Sequence, residues 1–249
     1  MPSIIFIADD EPSNLVLLET LIKKRTDYEV AFFNSGQELL NAILDEKRHP
    51  SLILLDIMMP DLNGFEVANR LREHPTTKGI PIIFVSALTS PATKIRALES
   101  GGIDFITKPF NEYELISRLE AHLRMKKLQD DAFLRKEYLE TLFSLVSDAV
   151  LVVEAKTLQI EEVNPAAEIL LEGSKDAFQG KPLSVILSPS LCNSLASFSA
   201  PQNLKTTMRS LSQQEMTVFF SYAPLRNQHH ETEFFLCIIK RLPSFSPSA

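Results

Sequence analysis

The stretch "LLDIMMPDLNGFE", residues 54–66, ends an apolar run on an aspartate and then enters a loop rich in proline, asparagine and glycine. Asp56 therefore stands where a buried strand is expected to stop. Aspartate at such a position often turns the chain or caps the following helix. The stretch alone supports a structural role as well as a chemical one, and the neighbouring sequence decides between them.

Short β-rich runs alternate with amphipathic segments of helical length over the first 110 residues. The runs are apolar throughout, as strands buried on both faces of a sheet must be. This alternation predicts an α/β fold with a doubly wound parallel sheet. The predicted strands are 4–8, 29–33, 52–56, 81–87 and 104–107, and the predicted helices are 13–25, 36–48, 63–74 and 91–102.

Polar residues follow these strands at their carboxyl ends, where ligands bind in such sheets. They are Asp9, Asp10, Asp56, Ser86 and Lys108. Three converging carboxylates repel one another unless a cation lies among them, and oxygen ligands at a small open site suit Mg²⁺. The ammonium of Lys108 and the hydroxyl of Ser86 can then hold the oxygens of a phosphoryl group on Asp56.

These residues resemble the receiver domain of two-component response regulators. The matching motifs are "ADDEPSN" (8–14), "LLDIMMPDLNGFE" (54–66), "VSA" (85–87) and "DFITKPF" (104–110). The resemblance covers residues 1 to about 125 and implies a flavodoxin-like (βα)₅ domain at 1–124. It also implies that Asp56 accepts a phosphoryl group from a histidine kinase or a phosphotransfer protein.

The same resemblance implies how the site is built. Asp10 and Asp56 would bind Mg²⁺ directly together with the backbone carbonyl of Met58, and Asp9 would act mostly through water. Lys108 and Ser86 would contact the phosphoryl group.

The resemblance also implies a switch made of Ser86 and Phe105. Phe105 lacks a hydroxyl that would stabilise an exposed rotamer, so we expect an inward ring; the alternative is that Phe105 is simply a core residue. Met58 and Leu88 flank the expected path of a hydrolytic water, and neither can orient it. We therefore expect slow loss of the phosphoryl group.

Residues 111–146 contain neither glycine nor proline and predict one long helix that begins with the cap pair Asn111 and Glu114. Its 36 residues would span about 54 Å. From residue 125 a stripe with 3,4 spacing favours a parallel dimeric, coiled-coil-like connector over 125–146, with Arg135 as its polar exception. The alternative is a helix folded back on its own domain. The stripe consists of Met125, Leu128, Ala132, Arg135, Leu139, Leu142 and Val146.

The region 147–241 resembles a PAS domain, which implies an α+β fold with an antiparallel sheet. The match consists of strands at 149–154 and 158–163, "NPAAEILL" (164–171) with Asn164 as a helix cap, a helix near 188–198, and three closing strands at 204–211, 215–223 and 232–240. Its ligand is unknown. A flavin or a haem is not expected, because Cys192 lacks the flavin-type motif and His229 and His230 fall in a hairpin loop. Residues 242–249 are expected to be a tail.

Composition narrows the possible partners and the expected location of the protein. A net charge of −7, from 25 basic and 32 acidic side chains, predicts neither a nucleic-acid nor a membrane partner. The start lacks a signal-peptide pattern and the two cysteines form no framework, so we expect a cytoplasmic protein. We expect no enzymatic output beyond self-catalysed phosphoryl transfer to Asp56. Two alternatives stay open: a PAS ligand sensor or adaptor with the receiver as a dimerisation scaffold, and the N-terminal fragment of a larger hybrid kinase or cyclase.

Overall fold

The computed structural model describes residues 3–60, 62–87, 90–197 and 202–242. The chain divides into two compact units, Met1–Phe133 and Leu134–Ala249. The division falls inside the long helix, so the predicted connector boundaries at 125 and 146 stay a prediction. Leu88 and the tail residues 243–249 lie outside the described residues.

The first unit contains the predicted parallel sheet, with strand order β2-β1-β3-β4-β5. Its strands are β1 Ile4–Ala8, β2 Glu29–Phe33, β3 Leu52–Asp56, β4 Ile82–Ser86 and β5 Asp104–Thr107. Its helices are α1 Pro12–Lys23, α2 Gly36–Leu44, α3 Gly64–Glu73, α4 Pro91–Glu99 and α5 Glu112–Leu145. The prediction of a five-stranded parallel α/β sheet is confirmed.

The central strands are buried on both faces, as their unbroken apolar sequence predicts. Every residue of β3 and β4 is buried. Ile53 and Leu55 pack into one core layer, with α2 and α3, while Leu52 and Leu54 pack into the other, with α1 and α5. This two-sided burial holds the strand ends, and the polar residues on them, in fixed relative positions.

Helix α5 runs without interruption over 34 residues. The amide of Glu114 donates to Oδ1 of Asn111 over 3.1 Å, as the cap prediction requires. Its first turns bury Leu115, Ile116, Leu119 and Leu123 against the sheet. From Met125 onward the side chains of the predicted stripe are exposed, whereas the fold-back alternative requires them to be covered.

The second unit contains a five-stranded antiparallel sheet of order β7-β6-β10-β9-β8. Its strands are β6 Ala149–Glu154, β7 Ile160–Val163, β8 Asn203–Arg209, β9 Glu215–Arg226 and β10 Thr232–Arg241. Between β7 and β8 lie helices α6 Pro165–Leu171, α7 Lys175–Phe178 and α8 Pro189–Ala196, with a 3-10 turn at Leu183–Val185. The predicted order of strands and helices is present. The sequence prediction omitted α7 and placed the start of β7 two residues too early, at Leu158, which instead has a positive φ of 55° in the turn before it.

Asn164 anchors the start of the second sheet. Its side chain is fully buried; Oδ1 accepts from the amides of Val150 and Ala167, and Nδ2 donates to the carbonyls of Val146 and Asp148. The predicted cap is therefore present, and it also ties the end of the helical connector to β6.

Cys192 and Cys237 are both buried. Burial raises the pKa of the Cys237 thiol to about 12, as is typical of a structural rather than a reactive cysteine. Within the residues that the structure describes, none of the helices combines the length and apolarity needed to cross a membrane.

Candidate functional site

Strand pairing brings the polar residues of the motifs together at one edge of the parallel sheet. Ala8 pairs with Leu55 in parallel register, so the residues that follow them, Asp9 and Asp56, are neighbours. Ser86 pairs with Thr107, and the amide of Lys108 donates to the carbonyl of Ser86 over 2.9 Å. The convergence expected from the sequence is thus a direct result of the register.

The three acidic residues form a compact cluster. Carboxylate oxygens of Asp9, Asp10 and Asp56 lie within 4.8 Å of one another. Asp9 and Asp56 are buried, whereas Asp10 is exposed. An oxygen-only donor set that is open to solvent on one side fits Mg²⁺, which keeps part of its water shell.

Lys108 bridges the two buried carboxylates. Its Nζ lies 2.7 Å from Oδ2 of Asp9 and 2.9 Å from Oδ2 of Asp56, with 17% of the lysine side chain exposed. Burial by itself lowers the pKa of Lys108, but the hydrogen bonds to Asp9 and Asp56 outweigh it and the pKa is raised. The lysine is therefore held as a cation next to the nucleophile.

Asp56 lies in a setting that penalises its ionised form. Burial raises its pKa and the neighbouring charge of Asp9 raises it further; the hydrogen bond from Lys108 offsets only part of this. A divalent cation among these carboxylates would favour the ionised form, which is the nucleophilic one. The electrostatics of the site thus match the metal that the sequence predicts.

Asn14 belongs to the site and was not singled out by the sequence analysis. Its Nδ2 donates to both oxygens of Asp9, at 3.0 and 3.2 Å, and the amide of Glu11 donates to the same carboxylate. Lys108 also donates to this carboxylate, so Asp9 accepts hydrogen bonds from three groups of the chain. This fits the expectation that Asp9 acts on the metal mostly through water. The position of Asn14 in the "ADDEPSN" motif, in the first turn of α1, was the available signal.

The loop after Asp56 holds the acceptor strand close to α3. The amide of Met58 lies 3.4 Å from Oδ1 of Asp56, and the Met58 side chain is 61% exposed. A Cβ on Gly64 would lie 2.3 Å from the carbonyl oxygen of Asp56, so only glycine permits this approach. The role of the Met58 carbonyl as a ligand stays a prediction.

The two predicted switch residues lie on adjacent strands. Ser86 is fully buried at the end of β4, and the Phe105 ring, on β5, is 9% exposed within the core layer that includes Phe84. The ring is inward, as expected for a phenylalanine, and Nζ of Lys94 lies 5.8 Å from its centroid. Movement of this pair on phosphorylation stays a prediction.

Comparisons with known proteins agree with this geometry. The family described as "Response regulator receiver domain" matches residues 5–120. The response regulator PleD of Caulobacter vibrioides is 36% identical over 131 residues, which are 53% of this chain and 28% of PleD. A Vibrio cholerae protein named "Probable cyclic di-GMP phosphodiesterase" is 33% identical over 138 residues, 55% of this chain and 30% of that protein.

Among solved structures, the receiver domain of a signal transduction histidine kinase from Syntrophus aciditrophicus is 30% identical with a TM-score of 0.45, and the match covers 49% of this chain and 90% of that one. The matched part is under a third of the length of each of the two full-length relatives. The family match ends at residue 120, before the antiparallel sheet begins. Residues 5–120 of this chain are a response regulator receiver domain.

Proposed function

We propose that the chain is a two-component response regulator in which Asp56 accepts a phosphoryl group from a phosphohistidine of a histidine kinase or a phosphotransfer protein. The observation that carries this proposal is the bridge of Lys108 between Asp9 and Asp56 at the sheet edge. The arrangement supports the proposal because it brings a buried carboxylate, a fixed cation and a cluster of acidic residues together.

The chemistry follows from these positions. A carboxylate oxygen of Asp56 attacks phosphorus, the P–N bond to the donor histidine breaks, and the imidazole takes the electron pair. Lys108 neutralises charge on the phosphoryl oxygens and moves from two carboxylates to the new group. Asp10 and Asp56 would hold Mg²⁺, which would supply further charge neutralisation when bound.

The signal would leave the site through β4, β5 and α5. A phosphoryl group that draws in the Ser86 hydroxyl would stabilise the Phe105 ring in the inward position that it already has. The change then passes along α5 to the second unit, which we infer is a PAS domain because its strands and helices follow the predicted order. Under this proposal the protein acts as a cytoplasmic homodimer.

The test is intact mass after incubation with Mg²⁺ and acetyl phosphate. We expect one phosphoryl adduct on the wild type, and none on Asp56→Asn or in the presence of EDTA. An adduct that survives Asp56→Asn would place the acceptor elsewhere. Absence of an adduct on the wild type, together with failure to bind beryllofluoride, would overturn the proposal.

One observation favours the alternative in which the second unit is a ligand sensor. A cleft of about 680 Å³ lies between the 184–189 segment and the β8–β9 hairpin, with Arg209 and Glu215 on its wall. If the sensor role is correct, a bound small molecule would change the stability of the Asp56→Asn variant as much as that of the wild type. An output enzyme domain on a longer chain is the remaining alternative, since the match covers less than a third of the length of these two relatives.

A further inference from the structure

The second half of α5 presents an apolar stripe that the described chain leaves uncovered. The exposed fractions include 56% for Met125, 59% for Leu128, 56% for Leu139 and 43% for Leu142. Exposed large apolar side chains in a regular row mark an interaction surface. Within α5 the stripe, with its 3,4 spacing, is Met125, Leu128, Ala132, Arg135, Leu139 and Leu142; Val146, the last residue of the predicted stripe, follows the end of the helix at Leu145.

We propose that residues 125–145 form a parallel, in-register two-stranded coiled coil with a second copy of this chain, in which Asp131 of each copy pairs with Lys136 of the other. The inference deepens the proposed role of α5 and rests on it, but it requires no phosphoryl group. In heptad terms the stripe occupies positions a and d, beginning with Met125 at a.

The stripe differs from the face that packs on the receiver. Leu115, Ile116, Leu119 and Leu123 are buried against the sheet, and the row then changes phase at Met125. One face of α5 therefore packs on the receiver sheet, and a different, exposed face is apolar over the following three heptads. Three heptads is the lower limit for a coiled coil, so a weak and adjustable dimer is expected.

The charged residues beside the stripe favour a second copy of the chain as the partner, with the two helices parallel. In a parallel pair, position g of one helix faces the following position e of the other, which joins Asp131 to Lys136 twice by symmetry. The next such pair joins Tyr138 to Phe143, both of which can add apolar contact. Asp131 and Lys136 are exposed, and the 3.6 Å contact of Lys136 with Glu140 on its own helix is a weak surface pair.

An antiparallel pair with full overlap lacks this match. In an antiparallel pair, position g faces g and position e faces e, so Asp131 and Lys136 do not meet. In one register Asp131 faces Tyr138, and in the other Lys136 faces Lys136. The opposite charges favour the parallel arrangement, which also places both receivers at the same end.

Arg135 forms the least stable layer of the proposed coiled-coil core. A charged residue at a d position costs stability but restricts register and partner number. Arg135→Leu should therefore tighten the dimer, while Lys127→Leu, which removes an equal charge at the outward c position, should not.

The decisive experiment is a charge-swap series on the full chain, measured by sedimentation equilibrium. Asp131→Lys and Lys136→Asp should each weaken the dimer about 10-fold, because two attractive pairs become repulsive. An equal mixture of the two variants, or the double variant, should recover wild-type affinity. Glu137→Lys and Lys127→Asp carry the same charge changes outside the interface and serve as controls.

Direction is tested by oxidation of variants that each carry one added cysteine, since the native Cys192 and Cys237 are buried. Leu128→Cys should crosslink to the same residue of the second copy, whereas a mixture of Leu128→Cys and Leu139→Cys, which would share a layer in an antiparallel pair, should form no mixed crosslink. A monomeric wild type, a charge series without effect, or a mixed 128–139 crosslink would each overturn the inference. The Asp56→Asn variant, which cannot accept a phosphoryl group, should dimerise like the unphosphorylated wild type. Failure of the coiled-coil proposal can therefore be distinguished from failure of the phosphoryl-transfer proposal.

Discussion

Nζ of Lys108 and Oδ2 of Asp56, 52 residues apart in the chain, lie 2.9 Å from each other at the edge of the parallel sheet. The same nitrogen contacts Asp9, so one cation holds two buried carboxylates together. Whatever neutralises these carboxylates therefore determines both the stability of the receiver and its chemistry.

Lys108→Met should destabilise the metal-free protein by about 2–4 kcal/mol, because removing one partner leaves buried charge uncompensated. Added Mg²⁺ should recover more stability in the variant than in the wild type, since it replaces the missing positive charge. Urea unfolding with and without Mg²⁺ measures both effects. Lys23→Met, which breaks the surface pair with Glu19, should change stability by less than about 1 kcal/mol; equal losses in the two variants would contradict this account.

Gly64→Ala should destabilise the receiver by about 1–3 kcal/mol, because the new methyl group meets the Asp56 carbonyl at 2.3 Å. Displacement of the acceptor strand should also slow phosphorylation by acetyl phosphate. Gly79→Ala is the matched control, since a Cβ there has no neighbour within 4 Å. It should be neutral or stabilising by up to about 1 kcal/mol. Equal behaviour of the two variants would show that the close approach does not matter.

The double variant Met58→Asn, Leu88→Glu should lose its phosphoryl group faster than the wild type. The receiver resemblance implies that positions 58 and 88 flank the water path, where Asn and Glu side chains could hydrogen-bond a water, and Met58 is exposed. The expected gain is about 10-fold, below the 10²–10⁴-fold typical of full general-base catalysis. Decay of the mass adduct after removal of the donor measures it, with Met58→Leu as control. An unchanged lifetime would refute the water-path interpretation.

Asp104 should contribute stability that depends on pH. Burial alone would raise its pKa, but hydrogen bonds from His122, Arg118 and the amide of Phe105 lower it below its ordinary value of 3.8. Ionised Asp104 therefore stabilises the fold above that value, and the contribution is lost as the pH falls through the lowered pKa.

Asp104→Asn should thus cost about 1–2 kcal/mol at pH 7, with the difference shrinking below about pH 4. Unfolding by urea across this pH range measures the effect, and the exposed Asp45→Asn is the control. A cost that stays constant down to the acid limit would show that the Asp104 charge is not the cause.

Asn164→Ala should destabilise the second unit by about 3 kcal/mol. Its side chain satisfies four backbone groups, and the truncation leaves them buried without partners. Hydrogen exchange should show early opening of β6 and α6, whereas the core of the first unit should keep its protection. Loss of protection confined to the first unit would contradict the assignment.

Sequence patterns alone determined most of the first unit. Uniformly apolar strands such as residues 52–56 require burial on both faces, and helices of regular period must cover them. Because parallel strands end at one edge, the same patterns also predicted that Asp9, Asp56 and Lys108 converge. The second unit could be predicted only as an order of elements, since alternating strands pair in many ways.

The tertiary structure was needed for the side-chain contacts of the site, because these depend on exact distances between atoms. The β1–β3 register places Asp9 beside Asp56, and only the side-chain contacts show that Lys108 bridges them. Only packing reveals Asn14 on Asp9 and Gly64 against the Asp56 carbonyl. The Lys108 contacts join residues that are far apart in the chain, and the contacts of Asn14 and Gly64, although closer in sequence, depend on how the loops after β1 and β3 are packed. The exposure of the α5 stripe likewise depends on what the rest of the fold leaves uncovered.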